Sequence, residues 1–358
     1  MRSGRASTAP LSLRRYMTDS PALVPVTLVT GFLGSGKTTL LNHVLGAAHG
    51  RRIAVIENEL GEAGIDNEIL LQEREEQIVE TANGCICCTV RGDLTRILGE
   101  LARKRESGAL SFERVIIETT GLADPGPVAQ TFFVEDEVVR DYRLDGIVTL
   151  VDAKHAAPTL DLHFEARRQV GFADRILVSK TDLIGADETR ALVQRLQRMN
   201  ARATVKTVQH GRADLADVLD LGGFELDSAL SLDPGFLKEP AHHHDDEIGS
   251  FVYRTQAPLD LEKLEDFLGL MIERFGDDML RYKGIVDVAG RGQRIIFQGV
   301  QRMVGSEPGA RWAPADKRES VIVFIGRRLP QALFTRGLEL CAEGVTTDPA
   351  GVLREPAR

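Results

Sequence analysis

The chain has 358 residues, 43% of them hydrophobic and 27% charged, which is the composition of a soluble globular protein with room for two domains of ~100–200 residues each. Its net charge of −9 argues against nucleic acid or an anionic membrane as the main partner, and no apolar run approaches the ~20 residues that cross a bilayer. Three of its four cysteines fall within positions 85–88, and no apolar stretch of secretory length follows Arg2, Arg5, Arg14 and Arg15, so a reducing, cytoplasmic setting is expected.

Residues 1–24 read as a disordered tail, within which Met17 offers a second start. Val26–Val29 is a short apolar, β-branched run and predicts a buried strand. Glycines follow, and then Leu40, Leu41, Val44 and Leu45 fall at helical spacing. Strand, Gly-x-x-x-x-Gly-Lys-Thr and helix in this order form a phosphate-binding loop. Gly31, Gly34 and Gly36 let the backbone turn its amides, with those of Ser35 and Thr39, toward a polyphosphate. The helix N-terminus adds a positive dipole end, Lys37 reaches the β- and γ-phosphates, and Thr38 offers a hydroxyl to Mg²⁺.

A second buried strand, 52–57, runs into the polar loop Asn58–Asp66, where Glu57 and Glu59 are weaker candidates for holding a metal. Cys85, Cys87 and Cys88 follow in a Cys-x-Cys-Cys pattern, and thiolates are soft ligands suited to Zn²⁺ or related ions. In an extended chain residues 85 and 87 project to one side and 88 to the other, so a common ion requires a bend at 87–88. Three thiolates leave a fourth place on zinc for a carboxylate, an imidazole or water. A vicinal disulfide or a buried thiol cluster is the alternative reading.

The third strand, Arg114–Glu118, ends in Thr119-Thr120-Gly121. A carboxylate at a strand tip in a phosphate-loop protein holds Mg²⁺ or its water, which assigns Glu118, and the Gly121 amide can sense a γ-phosphate. Leu122 stands where a water-orienting glutamine would be expected. Strands at 144–151 and 175–178 follow, the second delivering Ser179-Lys180-Thr181-Asp182. Asp182 can accept from guanine N1–H and its exocyclic amine while the Lys180 stem lies over the base; adenine, with an acceptor at N1, would leave Asp182 unpaired. A helix over 187–199, a strand over 204–208 and Gln209-His210-Gly211, a weak candidate for closing over the base, complete a nucleotide-binding domain over 25–230.

Residues 231–248 read as a linker carrying His242, His243 and His244 beside acids, either a weak collecting site for Zn²⁺, Ni²⁺ or Co²⁺ or a plain polar connection. From Gly249 to 345 the pattern predicts a small α+β domain: a strand at 250–254, a helix with Leu261, Leu264, Phe267, Leu268, Met271 and Ile272, strands at 284–288, 294–300 and 320–325, and a helix at 330–341. Residues 346–358 form a tail. The predicted fold class is α/β: a mostly parallel phosphate-loop NTPase sheet with flanking helices and a smaller C-terminal α+β domain.

Gly31–Thr38, Glu57-Asn58-Glu59-Leu60-Gly61, Gly84–Cys88, Glu118–Gly121 and Ser179–Asp182 occur in the order found in the CobW-type (CobW/HypB/UreG-like) GTPases of the SIMIBI class. The resemblance continues through Leu280–Gly284, Gln298-Gly299-Val300 and Val323–Arg327, and spans about residues 25 to 342. It implies a metallochaperone that binds Mg²⁺-GTP on the phosphate loop and a transferred metal on the cysteines, zinc first, with cobalt or nickel as alternatives. The implied partners are a client metalloprotein on the C-terminal domain and a second copy of the chain in a homodimer. Members of the family serve zinc supply, cobalamin synthesis or nitrile hydratase activation; a metal and GTP sensor that transfers nothing is the rival reading. Ser179 replaces the commoner Asn, which predicts a weaker supporting hydrogen bond beside an intact Asp182.

With Leu122 in place of a glutamine, intrinsic hydrolysis should be slow. Phosphate release without partner or added transition metal should give a kcat below about 1 s⁻¹, under the usual ~1–10³ s⁻¹ of enzymes; a value inside that range contradicts the expectation.

Overall fold

A computed structural model of the chain describes residues 23–47, 50–56, 67–71, 77–81, 90–222, 247–349 and 351. Two sheets organise them. The first has eight strands: β1 (Val24–Gly31), β2 (Ile53–Ile56), β3 (Asn67–Leu71), β4 (Gln77–Thr81), β5 (Arg114–Glu118), β6 (Tyr142–Asp152), β7 (Arg175–Ser179) and β8 (Thr204–Thr207), in the order β4-β3-β2-β5-β1-β6-β7-β8. The six strands from β2 to β8 are parallel, and β3 and β4 extend the sheet antiparallel beyond β2. Helices α1 (Lys37–Gly46), α2 (Val90–Glu106), α3 (Pro125–Val134), α4 (Asp136–Asp141), α5 (Ala156–Leu162), α6 (Phe164–Phe172) and α7 (Ala186–Met199) flank it.

β1 lies between β5 and β6 and is almost wholly buried, which is why its sequence is apolar and β-branched without alternation. Val26 and Leu28 join one core with Leu98, Phe112 and Phe132, while Val29 joins another with Leu40, Leu41 and Val148. Strand order changes direction around β1, so its carboxyl end opens onto the crevice where open α/β sheets bind ligands.

The second sheet is antiparallel: β9 (Ile248–Thr255), β10 (Met279–Asp287), β11 (Gln293–Val300), β12 (Met303–Arg311) and β13 (Ser320–Arg327), in the order β12-β11-β10-β13-β9. Helices α8 (Leu261–Phe275) and α9 (Gln331–Leu340) cover one face through Phe267, Met271 and Phe334, which pack on Phe324. On the other face Leu280, Val300, Val323 and Ile325 join the same core as Val26 and Leu28. The two sheets share an interior.

Four strands depart from the sequence expectation. The β3–β4 ribbon was not anticipated: each strand is five residues long, and Glu68 and Glu80 interrupt the apolar run. β12 carries Gly305, Pro308 and Gly309, residues that argue against a strand; it survives because it is the sheet edge, where a missing N–H costs nothing in the ladder. β10 also starts at Met279 rather than near Gly284. Among the described residues no helix is long and apolar enough to cross a membrane.

A buried ion cluster welds the domains. Asp174, after α6, pairs with Arg281 of β10 at 2.8 Å and with Arg202 at 3.0 Å, and also accepts from the Ile147 amide at 2.9 Å. Arg281 donates in addition to the Phe172 carbonyl at 2.9 Å. Burial alone would raise the Asp174 pKa, but the Arg281 and Arg202 charges outweigh it and hold the carboxyl below its usual range. Burial, followed by the Arg281 charge, lowers Arg202 to about 10.

Asp174→Asn keeps the shape and leaves two buried guanidinium groups without a counter-charge, which should cost about 3–5 kcal/mol. Thermal melts at neutral pH read the loss. Because the folded pKa is depressed, the carboxylate's contribution is present above the unfolded value of ~3.9 and is lost as pH falls through the folded value. The wild type should therefore lose its advantage over the variant in strong acid, and a gap that persists there contradicts the assignment.

Candidate functional site

The loop leaving β1 is held in a shape that only glycine adopts easily. Gly31, Gly34 and Gly36 have φ of 143°, 74° and 100°. At Gly31 a Cβ would overlap the carbonyl oxygen of Leu150 on β6, so the chain must pass there bare. The Ser35 amide donates to the Phe32 carbonyl at 3.2 Å, and α1 starts as the Leu40 amide donates to Gly36 at 3.0 Å. Lys37 folds back over the turn: its Nζ donates to the Gly31 carbonyl at 2.9 Å, and the side chain is 8% exposed. Burial lowers its pKa, and the charge of Glu118 opposes that shift. Ser35 Oγ is buried with no hydrogen-bond partner among the described residues. A buried cation and an unpaired hydroxyl under a glycine turn at a helix N-terminus match the donor set of a polyphosphate cradle.

On the cation side, Thr38 Oγ1 donates to Glu118 Oε1 at 3.5 Å. Neighbouring ligands of an octahedral Mg²⁺ at ~2.1 Å are about 3 Å apart, so the pair fits a shared magnesium shell. The exit of β5 is fastened to β1: the Thr119 amide donates to the Val29 carbonyl at 3.0 Å and its hydroxyl to Thr30 Oγ1 at 2.8 Å. Gly121 lies against the phosphate loop so closely that a Cβ would be 2.7 Å from the Leu33 amide nitrogen. The segment is then clamped from α6. Gln169 Nε2 donates to the carbonyls of Gly121 and Ala123, each at 3.1 Å. Arg168 pairs at 2.8 Å with Asp124, which caps α3 through the Gly126 amide.

On the third side, β7 delivers Ser179, whose Oγ donates to the Ser35 carbonyl at 2.8 Å. The serine therefore still ties its loop to the phosphate loop. Lys180 adopts a left-handed backbone, φ 56°, and its Nζ donates to the Gly34 carbonyl at 2.8 Å and to Asp152 Oδ2 at 2.7 Å. The same carboxylate meets His155 Nδ1 at 2.9 Å. Burial would raise the Asp152 pKa, yet these hydrogen bonds and charges hold it below the usual range. Asp182 is exposed on the turn Thr181–Leu183, able to accept from a ligand. Gly211 of the Gln209–Gly211 loop abuts α1, where a Cβ would be 2.7 Å from the Thr39 carbonyl oxygen.

Lys37, Thr38, Glu118, Gly121 and Lys180 thus converge on one loop. Asp152 and Gln169 were not singled out from sequence; an aspartate ending the apolar run of β6 was the one available signal for the first. Glu57, Glu59, Cys85, Cys87, Cys88, His242, His243 and His244 lie outside the described residues. By chain position Glu57 directly follows β2, and Cys88 precedes the start of α2 by two residues. The fourth cysteine, Cys341, is fully buried at the end of α9, and burial pushes its thiol up to about 12, which makes it inert.

Comparison with known proteins matches residues 25–207 to the CobW/HypB/UreG nucleotide-binding domain and 248–342 to the cobalamin synthesis protein cobW C-terminal domain. The chain is 42% identical to the zinc chaperone YjiA of Escherichia coli over 309 residues, covering 86% of this chain and 95% of that protein. It is 35% identical to the zinc chaperone CobW of Pseudomonas aeruginosa over 354 residues, covering 88% and 91%. The crystal structure of the zinc-bound YjiA GTPase from E. coli superposes with a TM-score of 0.73 at 37% identity, over 88% of this chain and 98% of the other.

Gly31→Ala tests the tight passage beside Leu150. Left-handed strain and overlap with a backbone atom together should destabilise by about 1–3 kcal/mol or more and distort the loop. Melting temperature and binding of a fluorescent nucleoside triphosphate should both fall; unchanged triphosphate binding contradicts the cradle.

Proposed function

This chain belongs to the CobW family, and from that premise we propose that it is a slow GTPase that binds zinc and delivers it to a client protein. The observation that carries the reading is the buried Lys37 ammonium beside the unpaired Ser35 hydroxyl, beneath a loop that Lys180 and Ser179 tie to the base-reading turn. In this reading Gly31, Gly34, Ser35, Gly36 and Thr39 surround the phosphates with backbone donors, and Lys37 balances the β- and γ-phosphate charge. Lys180 lies along the base and Asp182 selects guanine over adenine. Thr38 and Glu118 are the residues that would hold Mg²⁺, which neutralises phosphate charge when bound. Gly121 reports the γ-phosphate. Leu122, exposed at 47%, offers nothing to orient a water, consistent with slow conversion of GTP and water to GDP and phosphate.

Cys85, Cys87 and Cys88 are proposed to hold the cargo, with Glu57 or Glu59 as a candidate fourth ligand and His242–His244 as an outer collecting site. Both relatives named above are called zinc chaperones, which favours zinc over cobalt and nickel. The cysteines lie in the chain between the phosphate loop and Glu118, so order imposed by GTP can reach them. If zinc binds the thiolates better in the GTP form, GTP binds better with zinc present by the same factor. Hydrolysis then weakens the thiolate site and releases the ion to a client on the C-terminal domain.

Competition titration of zinc, cobalt and nickel against the GTP-analogue and GDP forms tests the cycle. Zinc should bind the GTP-analogue form about 5–150-fold tighter, the usual range of such couplings, and Cys87→Ser should abolish the difference. Equal affinity in both forms overturns the switch.

A further inference from the structure

Helix α6 touches three things that the sequence keeps far apart. Before its first turn, the His163 ring packs at a tilt of 36° against Phe32 of the phosphate loop, with ring centroids 4.5 Å apart. Phe164 then receives the guanidinium of Arg327, from the end of β13, at 5.6 Å. In its middle, Arg168 and Gln169 grip Asp124, Gly121 and Ala123. At its end, Gly171 lies under the C-terminal domain so tightly that a Cβ would be 2.6 Å from Leu280 and 3.2 Å from Ile248. The Phe172 carbonyl accepts from Arg281 in the same place.

Gln169 is 1% exposed, and both its side-chain acceptors are carbonyl oxygens, so only its NH₂ can face them. Two donors matched to two backbone oxygens fix the position of residues 121–123 relative to α6. The helix is nine residues long, about 13 Å, and packed on both sides. Close-packed interiors transmit a displacement rather than absorb it. A shift of Gly121 would therefore move α6, and the gapless contact at Gly171 would pass that shift to β10.

We infer that α6 couples the γ-phosphate-sensing segment to the C-terminal sheet, with Gln169 as the positioning residue at the nucleotide end. The inference rests on the GTP reading above and adds the route by which nucleotide state reaches the client-facing domain. The coupling is reciprocal: a partner that displaces β10 changes the affinity for GTP but not for GDP, since only GTP brings a γ-phosphate to Gly121.

The test compares a non-hydrolysable GTP analogue with GDP on the full chain, for the wild type, Gln169→Met and Gln169→Glu. Losing two hydrogen bonds to the sensing segment should lower analogue affinity about tenfold while GDP affinity stays within about twofold. A merely structural loss would weaken both nucleotides together. Hydrogen exchange of the wild type should differ between analogue and GDP forms in α6 and in residues 279–287 of β10, and Gln169→Met should erase the β10 difference. An unchanged analogue-to-GDP ratio in the variants overturns the inference. So does wild-type exchange in α6 and β10 that is the same in both forms, a result that decides even if neither variant folds. Wild-type protein that binds neither nucleotide overturns instead the GTP reading on which the inference rests.

Discussion

The feature on which the rest depends is an ammonium group taken out of water. Lys37 is nearly buried, and desolvating a cation is costly unless negative charge or oriented oxygens replace the solvent. The Gly31 carbonyl and the charge of Glu118 do so here. Most other groups around the loop lean the opposite way: amides at the start of α1, an unpaired Ser35 hydroxyl and glycines with positive φ all favour an anion. A polyphosphate satisfies the cation and the donors at once. Among the described residues Glu118 is the acid that meets Thr38, and it stands where a phosphate-bound cation would need a carboxylate.

The loop is held from three strands, which makes the site one body. β6 presses on Gly31 through Leu150, β7 reaches Ser35 and Gly34 through Ser179 and Lys180, and the exit of β5 lies on Thr30 and Leu33. Side chains proposed to read the base, the phosphates and the cation are therefore not independent. Asp152 illustrates this: its carboxylate fixes the lysine that bonds to Gly34. Removing that charge would loosen the base side and the phosphate side together.

Much of this was legible from sequence because it is local. The β1 run, the glycines, Lys37-Thr38 and the helix period after them are consecutive, and so are β5 with Glu118 and β7 with Ser179–Asp182. What escaped was either weakly patterned or long-range. β3 and β4 are short and broken by glutamates, and β12 looks like a loop because an edge strand tolerates Pro308. Gln169 and Asp152 act on partners 28 to 48 positions away. A glutamine in the middle of a helix has no local signature that distinguishes a surface residue from a buried clamp; only burial against Gly121 and Ala123 does so. Arg281 escaped for the same reason: the Leu280–Gly284 motif was recognisable, but its bond to Asp174 crosses 107 positions, the difference between 281 and 174.

The shared core changes how the second domain should be regarded. A tethered module would bury little against its neighbour, whereas here Leu280, Val300, Val323 and Ile325 complete a core begun by Val26 and Leu28. Apolar burial alone is non-directional and would tolerate many seatings of one sheet on the other. The Asp174 cluster is not tolerant: two guanidinium groups and one carboxylate, desolvated together, pair in one register and are strongly unfavourable when separated. An interface of this kind resists gradual sliding and favours discrete positions. That property suits a helix between two sites, because a small displacement at Gly121 is then either refused or passed on whole to β10, where a soft interface would have dissipated it.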